Sequence, residues 1–198
     1  MPFYRRKAVI VPLVILSSFL AWLSYLWAVE SYRPSLNQTQ ALTDIADRVH
    51  TFMQKNNLRS IGINNGVVLP ESLRDEPLID RLSADIAHAN NQIERVSFSY
   101  RCEDKCYFTA YFFIDIPPTG TIGPYRYFQY NPKGLEVVSP VYRPNRLTEY
   151  MQYNWFGWYE EFVPSISEAL KIEDNGYVYF FCEPLEQENW HFCRGEYD

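Results

Sequence analysis

Hydropathy along this chain changes character once, near its start. Residues 8–29 carry no charge, and only Ser17, Ser18 and Ser24 bring small polar groups into the run. At about 1.5 Å per residue, a helix of this length spans a hydrocarbon core roughly 30 Å thick. Pro12 falls in the first turn or so, where proline disturbs a helix least. Arg5, Arg6 and Lys7 precede the run and Glu30 follows it. Positive flanks stay on the cytoplasmic side, so the pattern predicts an inside N-terminus. Trp22, Tyr25 and Trp27 would then sit in the outer half, where amphipathic rings favour the interface. A cleaved signal peptide fits less well. Its apolar core is usually roughly 7–15 residues long, and a cut after Ala28 would place Leu26 where a small residue is wanted. The expected layout is a cytoplasmic tail over 1–7, a single transmembrane helix over 8–29, a linker over 30–35 and an extracytoplasmic domain over 36–198.

Within that domain, helical and strand periodicities alternate. Pro34 breaks any helix continuing from the membrane, and Ser35 can cap a new one. Leu42, Ile45, Ala46, Val49, Phe52 and Met53 then recur on one helical face, opposite Asp44, Asp47, Arg48 and Lys55. Asn65-Gly66 is a strong hairpin turn signal inside 61–69. Pro77 opens a second helix that buries Leu78, Ile79, Leu82 and Ile86. Val96, Phe98 and Tyr100, then Phe108, Ala110, Phe112, Ile114 and Ile116, alternate with polar positions as two strands. A further hairpin is predicted from 125–130 to 135–138, around Asn131-Pro132-Lys133-Gly134. The apolar spacing predicts a third helix over 145–162, a helical turn over 165–170 and a last hairpin over 177–193. Helices and hairpins are interspersed without a regular βαβ series. The expected fold class is therefore α+β, an antiparallel sheet with helices packed on one face.

Charge narrows the partners. All 24 acidic residues and 15 of the 18 basic ones follow residue 29. An exported part nine units negative argues against binding nucleic acid or anionic head groups through bulk charge.

The four cysteines, Cys102, Cys106, Cys182 and Cys193, all fall on the exported side. An even count in an oxidising compartment reads as disulfides. Each expected hairpin carries a cysteine at both shoulders, which predicts Cys102–Cys106 and Cys182–Cys193. Zinc, with His191 nearby, is the alternative for these residues, but Cys182 and Cys193 lack paired-knuckle spacing. Neither pair has the C-x-x-C spacing of thiol oxidoreductases. No metal and no cofactor is expected.

Candidate chemistry is sparse. His50 is placed on the polar side of the first helix, His88 near the end of the second and His191 in the last hairpin. None has a nucleophile and an acid ordered around it, and no G-x-S-x-G, H-E-x-x-H or Walker loop occurs. Glu160-Glu161, Asp80 and Asp85 read as solvated helix surface. The densest signal is aromatic: on the helix expected over 145–162, Leu147, Met151, Trp155, Trp158 and Phe162 form a core seam. Tyr150, Tyr153, Phe156 and Tyr159 are left over as a candidate partner surface, because Tyr and Trp are enriched at interfaces.

The order of anchor, helix, antiparallel sheet and C-terminal cysteine loop resembles pilin-like subunits in architecture. The Gly-Phe processing site and the acid five residues into the mature helix are missing, and Pro34 interrupts the helix. Their function is not carried over. The expectation is a non-enzymatic binding or accessory module, anchored in a bacterial inner membrane with its domain in the periplasm. It would act on a neighbouring membrane or envelope protein. A small-ligand-binding sensor subunit, signalling through a partner, is the alternative. Asn37-Gln38-Thr39 would permit glycosylation were the source a eukaryotic secretory compartment.

Overall fold

A computed structural model of the chain describes residues 14–25, 36, 38–64, 66–102, 106–114, 125–133, 150–153, 159–172 and 179–196. The chain divides into two units, Met1–Ser35 and Leu36–Asp198. In the first, residues 14–25 form helix α1, and Val14, Leu16, Phe19, Leu20 and Trp22 on it are exposed. Among the described residues no helix is long and apolar enough to cross a membrane. The remainder of the 8–29 segment lies outside them.

The second unit is an α+β fold with one nine-stranded sheet. Its strands are β1 (Ser60–Asn64), β2 (Val67–Leu69), β3 (Ile93–Cys102), β4 (Cys106–Ile114), β5 (Tyr125–Tyr130), β6 (Tyr150–Tyr153), β7 (Tyr159–Phe162), β8 (Tyr179–Pro184) and β9 (Trp190–Glu196). Their spatial order is β2-β1-β3-β4-β5-β9-β8-β7-β6. The helices are α2 (Thr39–Lys55), α3 (Pro77–Ala89) and α4 (Ile166–Ile172).

Several elements follow their sequence signals. Helix α2 buries Leu42, Ile45, Ala46, Val49 and Met53 of the apolar face expected of it, with Phe52 part-buried beside them. It begins at Thr39, after Gln38 in the left-handed region (φ 54°), so the cap expected at Ser35 is not used. Helix α3 starts at Pro77 and buries Ile79, Leu82 and Ile86, while Leu78, also expected inside, is part-buried. Gly66, at φ 77°, supplies the positive φ that the β1–β2 turn needs.

One face of the sheet carries the main core. Phe98, Phe108, Phe112, Phe128, Phe181, Trp190 and Phe192 join the buried residues of α2 and α3, with Ile166 and Ala169 of α4, in a single cluster. The opposite face holds a second cluster: Tyr111, Phe113, Tyr127, Phe162, Phe180, Cys182 and Cys193. Side chains alternate between faces along a strand, so a sheet buried on both sides needs apolar residues at successive positions. The run Phe108–Ile114 has that character.

Two expectations require correction, and a third falls outside the described residues. The sheet is mixed, because β7 pairs parallel to β8. The third helix is absent from 150–153 and 159–162, which are strands β6 and β7 in antiparallel register. The Tyr- and Phe-rich composition suits a pleated surface, and pairing with β8 overrides the helical spacing. The expected return strand at 135–138 lies outside the described residues. Over Tyr127–Tyr130, β5 is flanked on both edges, by β4 and β9.

Candidate functional site

Both disulfides form as the hairpin signals predict. Cys102 pairs with Cys106 and Cys182 with Cys193, each across directly opposed strand positions with Cα atoms 4.1 Å apart. Cys102 is exposed, whereas Cys182 and Cys193 are fully buried. Among the described residues no group of three His, Cys, Asp or Glu is arranged to hold a metal ion.

Around Cys182–Cys193 the sequence reading missed a buried polar cluster. The Tyr127 hydroxyl donates to Glu160 Oε1 at 2.5 Å. Glu160 is 0% exposed and Glu161 5%. Their expected place on a solvated helix surface is thus overturned, because the segment is an interior strand. Gln129 Oε1 lies 3.4 Å from Cys193 Sγ and 3.7 Å from Cys182 Sγ. His191, the register partner of Gln129, is buried and stands edge-on to the Phe162 ring at 5.2 Å. Burial lowers its pKa to about 4, so it is neutral at pH 7. On the helix side, Glu183 Oε2 accepts the Ile166 N–H at 2.9 Å and so fixes the start of α4.

His50 also departs from expectation. It leans onto the sheet, with its ring stacked on Phe108 at 4.4 Å and tilted against Tyr100 at 5.5 Å. Burial lowers its pKa; nearby Asp47 opposes the shift and Lys133 adds to it. Tyr130, by contrast, is raised to about 12, first by burial and then by Asp47, to which its hydroxyl donates. Asp85 is held by Arg48 at 3.0 Å, an exposed ion pair between α2 and α3. The aromatic set Tyr150, Tyr153, Phe156 and Tyr159 is expected on a shared helix, and its described members stand on strands instead. Tyr150 and Tyr153 stand on β6 and Tyr159 on β7, with Tyr153 opposite Tyr159, and Phe156, Trp155 and Trp158 lie outside the described residues.

Among the described residues an accessible feature lies at the β2 end of the sheet, on the face away from the helices. Here a groove of about 820 Å³ runs over β1, β2 and β3. Its floor is made of small residues, Ser60, Gly62 and Ser97; Val67 and Leu69 form one wall, and Arg95 with Phe113 the other. Val67 and Leu69 are each 61% exposed. Val68 between them packs against the helix-side core, as strand alternation requires. The Arg95 guanidinium carbon lies 3.9 Å from the Phe113 ring centroid.

Groove and polar cluster lie along one line of the sheet. Register partners run Val67, Asn64, Arg95, Phe113, Tyr127, Cys193, Cys182, Phe162 from β2 to β7. Compared with known protein families, curated proteins and solved structures, the chain matches none.

Proposed function

We propose that this chain is a binding or accessory module, held at the outer face of a membrane and acting on a neighbouring membrane or envelope protein. The observation that carries the reading is the groove at the β2 end, where Val67 and Leu69 leave adjacent apolar surface in water. Apolar side chains grouped beside a concavity and rimmed by polar residues mark interaction sites. The charge-free run over 8–29 and the exposed apolar side chains of α1 support the anchor. Two disulfides support an oxidising compartment for the domain. Anchoring raises the effective concentration of the module for partners in the same membrane.

A photo-crosslinking residue at Leu69, activated in native membranes, tests this. The expected result is one discrete protein adduct that Val67→Asp abolishes, with none from the same probe at exposed Glu76. A groove that yields no protein adduct overturns the reading. The groove volume also falls in the range of small-ligand sites, which favours a ligand-sensing module as the second reading. That reading expects a small molecule to remain bound in native mass spectra.

A further inference from the structure

The groove has a chemical sign opposite to that of the chain. Its lining holds two cations, Arg59 and Arg95, and no carboxylate. The chain as a whole carries 24 acidic and 18 basic residues, a net charge of −6. A cationic recess on an acidic protein is a local arrangement, and it complements an anionic partner.

A backbone irregularity puts Arg95 there. In the β3–β4 ladder Ile93 is opposite Ile114 but Arg95 is opposite Phe113, so Glu94 is one residue more than the register accommodates. An inserted residue reverses the alternation of faces. Ile93 is buried in the helix-side core, and Arg95, two residues on, emerges in the groove on the other face. In a regular strand the two would share a face. The bulge thus spares the core a charge and delivers it to the recess, a re-aiming that bulges commonly perform beside functional sites. The Phe113 ring holds the guanidinium carbon at 3.9 Å, and a guanidinium on an aromatic ring keeps N–H donors for a carboxylate.

Gly62 gives an independent sign. It occupies the interior of β1, where glycine weakens a strand. A β-carbon at Gly62 would meet only Leu69 Cβ, at 3.9 Å, an ordinary contact. The fold therefore does not require glycine at this position. A glycine that packing does not demand, in the floor of a groove, marks a place where another chain comes close.

We propose that the groove receives an extended, acidic segment of a partner protein. It would lie across β2, β1 and β3, with apolar side chains against Val67 and Leu69, backbone over Gly62, and acidic side chains reaching Arg95 at one end and Arg59 at the other. The inference rests on the binding-module reading and names the partner's chemistry. A macromolecular segment is favoured over a small molecule because the recess is open on its β2 side: Val67 and Leu69 remain 61% exposed, whereas small-ligand sites bury most of their ligand.

The test is selection of linear peptides from a random display library on the full chain in lipid nanodiscs. The expected peptides carry Asp or Glu beside apolar residues. Arg95→Glu should weaken them about tenfold or more, Arg95→Lys less, and Gly62→Val, which fills the floor, should block them. Melting temperatures near the wild-type value confirm that each variant is folded. Peptides without acidic enrichment, or with affinity unmoved by Arg95→Glu, overturn the acidic-segment inference while leaving the module reading intact. A groove that takes up dodecanoate, displaced by Gly62→Val, but no peptide also overturns it. Failure of the module reading is separate and appears as the missing protein adduct at Leu69.

Discussion

The Tyr127 hydroxyl reaches Glu160 Oε1 although their strands, β5 and β7, are separated by β9 and β8. Beside this contact Gly195 on β9 makes room for the Phe180 ring, into which a β-carbon there would run. The bond ties the central strands to the β6–β7 hairpin in the fully buried layer. A buried polar pair contributes little net stability when made and costs much more when one partner is removed.

Tyr127→Phe should therefore destabilise the domain by about 1–3 kcal/mol, since it removes the hydroxyl donor to a buried carboxyl group. Glu160→Gln should cost less, because an amide oxygen still accepts the hydroxyl proton. Urea denaturation of the three proteins at pH 7 checks the order. Equal stability of Tyr127→Phe and wild type would show that the contact is energetically idle.

The two disulfides should differ in access and in contribution. Cys102–Cys106 joins residues four apart at an exposed hairpin end, whereas Cys182–Cys193 joins residues eleven apart inside the sheet. A mild phosphine reductant should open the first in the native protein and leave the second closed until the domain unfolds. Loop-closure entropy puts the Cys182–Cys193 bridge at about 2–3 kcal/mol, with less for the shorter loop. Thiol alkylation followed by mass mapping reads the sequence of opening.

How much of this was legible follows from where each signal lies. Cys102 and Cys106 flank three charged residues between alternating runs, and so both hairpin and pairing could be read locally. The faces of α2 and α3 were also readable, since each needs only its own periodicity. Residues 145–162 misled because aromatic residues at helical spacing equally suit a strand buried on both faces, and the deciding partner, β8, lies farther along the chain. Glu160 could not be recognised as buried until that strand was. Arg95 had a visible clue: Ile93, Val96 and Phe98 break strict alternation by one position, as a bulge does. Gly62 had one as well, an isolated glycine inside an apolar strand.

His191 should make the domain sensitive to acid. Its folded pKa of about 4 lies below the ordinary value of 6.5, because burial disfavours the imidazolium. Above about pH 6.5 the side chain is neutral in both states and the contribution is fully present. As pH falls from 6.5 towards 4, the unfolded chain takes up a proton that the folded one refuses, and stability is lost. The loss by pH 4.5 should be about 2–3 kcal/mol. His191→Phe abolishes the titration at little cost in hydrogen bonding, since Nδ1 has no partner. The stability difference between pH 7.5 and pH 4.5 should shrink in this variant by that amount. An unchanged difference would show that His191 protonates freely in the folded state. His50 shifts in the same direction but is only part-buried, and Asp47 opposes the shift, so its replacement should flatten the profile less.

The proposed topology can be tested without reference to the partner. Arg5, Arg6 and Lys7 precede the apolar run, and the first charge after it is the acid Glu30. This asymmetry should hold the N-terminus in the cytoplasm and place the domain outside. Alkaline phosphatase fused after Asp198 should be active, because it needs the oxidising side of the membrane, and a cytoplasmic-only fluorescent reporter at the same point should stay dark. Changing all three basic residues to glutamate while introducing lysines at 30–32 should invert or mix the outcome. The cysteines supply a control within the chain. In the expected orientation all four are blocked to alkylation in unreduced, denatured protein, whereas a cytoplasmic domain would expose them as thiols. A bright fluorescent fusion together with free Cys182 and Cys193 would overturn both the orientation and the compartment.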